Sequence, residues 1–320
     1  MWSWTVDSTP QWAARYGLGA AVYNGYIYVV GGRDDTSPTP QFFKDVWRAP
    51  LNADNSVGSW TQLGDFNTAG QAFHAVAAVA GYLYVFGGAN SGGTYLDTVR
   101  FASIAADGAL GNWSNTTAIT VGGSGRSSMG IAVRGNTVYI SAGRGGATGW
   151  RNDVLYGTVN AATGQIPSWN TTTPALVAGV EGAGSVIVNN HLYVIGGNDG
   201  TAPRNEVQYS ALNTDGSIIA WSPMSARMSV AKAFFSATTH NGYLYLTGGA
   251  DGAGPLNTVE TAPFNANGTA GEWRQAANLS TPRVGGRAAV SDGYIYMTGG
   301  KRDAATHLDS VEFAAQKTDG

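Results

Sequence analysis

Short runs of alternating apolar and polar or aromatic residues, each closed by glycine, recur along the whole chain. The run Gly25-Tyr-Ile-Tyr-Val-Val-Gly-Gly32 returns as Gly81-Tyr-Leu-Tyr-Val-Phe-Gly-Gly88, Asn136-Thr-Val-Tyr-Ile-Ser-Ala-Gly143, Asn190-His-Leu-Tyr-Val-Ile-Gly-Gly197, Gly242-Tyr-Leu-Tyr-Leu-Thr-Gly-Gly249 and Gly293-Tyr-Ile-Tyr-Met-Thr-Gly-Gly300. The final glycines are 51 to 56 residues apart, and Tyr28, Tyr84, Tyr139, Tyr193, Tyr245 and Tyr296 share one place in the run. Such a run is too short for a helix and has the period of a strand. Small-residue runs such as Ala75-Val-Ala-Ala-Val79 precede it, and the pairs Asn24-Gly25, Asn241-Gly242 and Asp292-Gly293 between the two predict tight hairpins. A third strand centres on Val46, Val99, Val154, Val207, Val259 or Val311, and a fourth holds Trp60, Trp113, Trp169, Trp221 or Trp273. Asp107-Gly108, Asp215-Gly216 and Asn267-Gly268 mark the turns between third and fourth strands.

A lone four-stranded sheet cannot bury both faces, whereas six arranged radially cover one another. The sixth copy lacks its tryptophan, and Trp4 stands before Gly32 as Trp60 stands before Gly88. The N-terminal segment is therefore expected to supply the last strand of the last sheet. The Tyr-Gly-Gly phrase, the spaced Trp and the Asn/Asp approach to the third-strand Val together resemble the kelch repeat of β-propellers, over essentially the whole chain. The expected fold is all-β: one domain, 1–320, forming a six-bladed β-propeller of four-stranded antiparallel blades closed by the strand near Trp4.

Composition narrows the chemistry. The chain of 320 residues has 46 glycines, only 12% charged residues and a net charge of −3, which argues against helical bundles and nucleic-acid binding. It has no cysteine, which excludes disulfides, thiolate metal sites and a cysteine nucleophile. No long apolar run predicts a membrane span. His74, His191, His240 and His307 share no metal-ligand spacing, so neither a metal nor a cofactor is expected. The absence of cysteine, with four lysines and abundant Gly, Asn, Thr and Trp, suggests an extracellular or periplasmic module. A monomer is expected.

Function should lie where the repeat is broken on one face. The loop entering each first strand carries, in copy order, Arg15, Gln71, Arg126, Val180, Lys232 and Arg283, with Glu181 beside Val180. Just after the final glycine come Arg33, Ala89, Arg144, Asn198, Ala250 and Lys301. Cations gathered at a concave mouth focus an anion-attracting field, and Arg pairs bidentately with carboxylates, sulfates and phosphates. The competing reading is that these cations brace loops. Arg287 stands in a first-strand slot filled elsewhere by Gly19, Ala75, Gly130, Gly184 and Ser236, so it needs a partner or an opening to water. Tyr95 and Trp150, on long rim loops, are candidate stacking platforms, with Trp12 and Tyr16 beside them. Phe42 and Phe43 are expected to pack their loop.

The leading expectation is a ligand-binding module whose cationic, aromatic-edged funnel takes an acidic carbohydrate or an anionic peptide. The copper-radical oxidases among kelch propellers need a tyrosine–cysteine crosslink that this chain cannot form. Six-bladed kelch propellers also resemble a sialic-acid mutarotase. That resemblance implies a second reading, a sugar isomerase or lyase moving protons with Glu181 and His74. A third is a protein-interaction scaffold with no small ligand, as kelch propellers often are.

Overall fold

The computed structural model describes residues 3–7, 9–36, 39–120, 124–146, 149–172, 175–265 and 267–315, and every blade expected from the repeat is present among them. The innermost strands are Gly19–Tyr23, Ala75–Val79, Gly130–Arg134, Gly184–Val188, Ser236–His240 and Arg287–Ser291. Each pairs antiparallel with its Tyr-bearing strand, which pairs with the third strand, which pairs with the outermost. The third-strand valine opens its strand in five blades, as in Val99–Ser103, and lies inside the longer Gln41–Pro50 in the first. The repeated Trp sits just before the outermost strand, as Trp60 does before Thr61–Asp65. The described residues contain no helix, so none is long and apolar enough to cross a membrane.

The ring closes as expected. Thr5–Asp7 pairs with Val311–Ala315 in the register Thr5↔Phe313, Val6↔Glu312, Asp7↔Val311. Trp4 donates its indole N–H to the Ala277 carbonyl at 2.8 Å, so the first segment also grips the preceding blade.

Two devices join neighbouring blades, and both follow from the repeat. The first is the tyrosine. Tyr28, Tyr84, Tyr139 and Tyr193 donate to the carbonyls of Gly108, Gly164, Gly216 and Gly268, each in the turn before the next blade's outermost strand, at 2.7–2.9 Å. Tyr296 reaches Asn55 across the closure at 3.0 Å. All six tyrosines are fully buried, so each ring fills the space between blades, and in these five copies the hydroxyl also fastens a turn of the neighbouring blade. Between these contacts the blade faces form shared apolar clusters, such as Phe86 and Phe101 with Ile140 and Leu155.

The second device is a closed collar of backbone hydrogen bonds two residues before the innermost strands. Gly17 N–H donates to Gly285 C=O, Phe73 to Gly17, Ser128 to Phe73, Gly182 to Ser128, Phe234 to Gly182 and Gly285 to Phe234, at 2.6–3.0 Å. Every blade gives one donor and one acceptor, so the circle has no end. The geometry needs left-handed backbone, with φ between 52° and 67° at all six positions. Three copies meet this with glycine, whereas Phe73, Ser128 and Phe234 hold it with a side chain attached.

Candidate functional site

The entering-loop cations do not line a funnel. Arg15, Arg126, Lys232 and Arg283 are fully buried and each is paired inside its own blade. Arg15 contacts Asp45 at 2.5 and 3.1 Å, Arg126 contacts Asp153 at 2.6 Å, Lys232 contacts Glu260 at 2.8 Å and Arg283 contacts Glu312 at 2.5 Å. The cause is the glycine pair. Its left-handed turn points a buried carbonyl toward the entering loop, and a buried carbonyl needs a donor. Arg15, Arg126 and Arg283 supply it to Gly31, Ala142 and Gly299 at 2.9–3.1 Å, and Gln71 does the same for Gly87 at 2.7 Å. Burial pulls Arg126, Lys232 and Arg283 below their ordinary pKa ranges, against the pull of their carboxylates. At Asp45 burial pushes upward, but the Arg15 guanidinium and the Trp47 indole hold the carboxyl below the usual range. Five sequence candidates are thus corrected: Arg15, Gln71, Arg126, Lys232 and Arg283 are braces, out of a ligand's reach.

Other candidates do converge. Above the collar lies a mouth of about 580 Å³ lined by Arg33, Phe42, Phe73, Tyr95, Arg144, Glu181 and Phe234, among others. Phe73 and Phe234 meet edge to face at 6.3 Å on its floor. Arg33 lies 5.0 Å from the Phe42 ring, which corrects the expectation that Phe42 only packs its loop. Phe43 does pack, with the Arg15 guanidinium 3.7 Å from its ring centre. Arg144 stands over Trp150 at 5.2 Å, on the short hairpin pairing Arg144–Gly145 with Gly149–Trp150. Trp150 donates its indole N–H to Glu181 at 3.3 Å. Burial raises the Glu181 carboxyl, against the pull of Arg144 and Trp150. Trp12 is no rim platform: it is buried, edge-on to Trp60 at 6.0 Å.

These mouth cations differ from the braces. Arg33 approaches Asp35 only to 3.7 Å and Arg144 approaches Glu181 only to 3.6 Å. The Arg144 side chain is 45% exposed. The mouth therefore offers two arginines in loose ion pairs, a raised carboxyl and an aromatic floor. Phe73 and Phe234 escaped sequence reasoning, although their signal was present: large apolar residues stand where Gly17, Gly182 and Gly285 meet a left-handed requirement.

His74 and Arg287 lie elsewhere. His74 is completely buried, its Nε2 is 3.1 Å from the Val30 carbonyl, and it lines none of the described cavities. Burial, opposed by the Val30 contact and aided by the Arg287 charge, pushes its pKa down to about 3. A group so placed stays neutral and cannot share proton transfer with Glu181 in the mouth, which corrects their pairing. Arg287 faces the axis below the collar. At the seam between the first and last blades, His307 approaches Asp34 and Asp35 at 3.3 and 2.8 Å, so three ligand-type residues meet where the histidine spacing predicted none. Asp35 is already engaged by Lys301 at 3.0 and 3.1 Å, by the Tyr16 hydroxyl at 2.8 Å and by Arg33 at 3.7 Å, making the group a polar seam between blades.

Comparison with known proteins agrees with this architecture. Residues 14–48, spanning the Arg15 loop and most of the first blade, match the Kelch motif. The chain is 32% identical to human Kelch-like protein 33 over 154 residues, covering 46% of this chain and 26% of that protein. The chain thus spans about a quarter of that relative's length. It is an all-β, six-bladed propeller carrying a Kelch motif.

Proposed function

We propose that this propeller is a protein-interaction module whose mouth receives an acidic segment of a partner, with a carboxylate side chain held between Arg33 and Arg144 and the adjoining chain lying on Phe73, Phe234 and Trp150. The observation that carries this reading is the strained aromatic floor. Bulky residues at positive φ cost about 1–3 kcal/mol each, and such strain concentrates where a site needs it. Phe73 and Phe234 have φ of 57° and 56° in a register that glycine serves as well in three other blades. The collar forms without an aromatic ring in the glycine copies, whereas a binding surface gains rigid aromatic area from phenylalanine.

Two loosely paired arginines suit a carboxylate better than a neutral ligand, because a tighter partner can displace an ion pair of 3.6–3.7 Å. Kelch propellers commonly serve protein interactions, which agrees with a mouth that is wide, open and apolar-floored. Fluorescence polarisation against labelled peptides tests the reading. Acidic peptides with an aromatic or aliphatic neighbour should bind and weaken with added salt, and Arg33→Ala/Arg144→Ala should remove binding. Binding of glucuronate or sialate with no response to any acidic peptide would transfer the site to sugar acids.

A further inference from the structure

Below the collar the propeller axis holds a second cavity, of about 160 Å³, to which all six innermost strands contribute. Its lining combines small residues, Ala20, Ala75, Gly130, Gly184 and Ala288, with larger apolar ones such as Met129 and Phe235 and with Ser185 and Ser236. Arg287 is its only charged residue. Among the described residues no carboxylate pairs with Arg287, and its side chain makes no hydrogen bond to the protein. The four buried braces of the entering loops all have their acids, whereas this guanidinium has none. Burial pulls it below the ordinary arginine range with nothing to offset the pull. An arginine nonetheless keeps its charge in proteins, so the positive charge persists in the cavity.

Two hydroxyls share the cavity. Ser236, in the matching slot of the neighbouring blade, accepts the Ala288 N–H at 2.9 Å, which leaves its own proton free to donate elsewhere. Ser185 lies 2.5 Å from Ser141, a pair that needs only one of its two protons for the mutual bond. The innermost strands are also sheet edges, so alternate backbone N–H groups along them have no ladder partner. On the opposite side the cavity adjoins a wider one of about 370 Å³, with which it shares Ser185 and Ala237.

We infer that the axial cavity is an anion site, in which the Arg287 guanidinium, with donors from Ser185 and Ser236, holds one small anion of chloride to phosphate size. The volume of about 160 Å³ accommodates such an ion. The collar separates this site from the mouth, so the ion enters from the opposite face and stabilises the blades that meet around it.

Thermal unfolding of the whole chain tests this. The reference buffer contains only a bulky anion, and chloride, formate and phosphate are titrated separately. Wild-type protein should gain stability saturably with at least one of them, by about 5 °C at a hundredfold excess over Kd. Arg287→Ser, which installs the residue of the neighbouring blade, should lose the response, while Arg33→Ala/Arg144→Ala should keep it. Chloride-35 NMR line broadening on wild-type protein, relieved by whichever anion binds more tightly, gives a readout that needs no variant to fold. A linear response without saturation, together with no excess broadening, would overturn the proposal. So would a saturable response that follows Arg33 and Arg144 in place of Arg287.

Discussion

Arg283 and Glu312 meet at 2.5 Å with both side chains wholly buried, and Glu312 is also the residue that faces Val6 across the strand pairing that closes the ring. The same carboxylate accepts the backbone N–H groups of Ser280 at 2.6 Å and Thr281 at 3.1 Å. One acid thus ties the entering loop of the last blade to the strand on which the N-terminal segment docks.

Glu312→Ala should therefore destabilise the protein by about 3–5 kcal/mol, because it strands a buried guanidinium and two amides. Arg283→Met/Glu312→Leu should recover much of that loss by removing the charge as well. Urea unfolding midpoints check both; an unaffected midpoint in Glu312→Ala would show that the pair does not brace the closure.

Tyr84→Phe removes one hydroxyl from the bond to the Gly164 carbonyl and leaves the ring in place. The expected loss is about 1–2 kcal/mol, from an unmade buried hydrogen bond. The same change at Tyr193, which bonds Gly268, should cost a similar amount, since the two positions are equivalent. Denaturant titration of the two variants reads it, and a null result at both would remove the tyrosines from the account of how blades join.

Acid stability should carry the signature of His74. Its folded pKa is about 3 against an ordinary 6.5, so below pH 6.5 the unfolded chain takes up a proton that the folded protein refuses. Stability is complete above that point and falls as pH drops toward 3, by up to about 1.4 kcal/mol per unit. Asp45, also held low, adds its loss only at more acidic pH. His74→Gln keeps a donor for the Val30 carbonyl and should flatten the profile between pH 6 and 4. Identical wild-type and variant profiles there would contradict the assigned burial.

The collar gives a prediction in which stability and binding part company. Phe73→Gly and Phe234→Gly relieve left-handed strain but delete the floor of the mouth. Each should hold or raise the melting temperature while weakening an acidic peptide by about tenfold or more. Loss of stability with binding unchanged would assign the rings to packing alone.

The fold was legible because its signals are backbone requirements repeated six times. The glycine pair marks a left-handed turn, and even the one departure, Ala142, adopts φ of 56°. The tyrosine marks a buried inter-blade bond. The candidate site was legible only in part, because a sequence gives the position of a long side chain but not its direction. Arg15 and Arg33 flank the same rim, yet one turns inward to Asp45 and the other outward over Phe42. A clue was available in the third strands. Each blade with a buried cation has an acid next to the repeated valine: Asp45, Asp153, Glu260 and Glu312. Where Val180 replaces the cation, Glu206 is neutralised from elsewhere, by Arg204 at 3.0 Å and Arg227 at 2.8 Å.

The division of the cations into internal braces and mouth contacts is tested most directly by titrating one acidic peptide against two charge-removing variants. With Arg33→Ala/Arg144→Ala the affinity should fall by about tenfold or more at unchanged unfolding midpoint. With Lys232→Met/Glu260→Leu, which replaces a buried brace by apolar side chains, the affinity should match that of the unaltered protein. Full binding by the first variant, or binding lost in the second while it remains folded, would contradict the account.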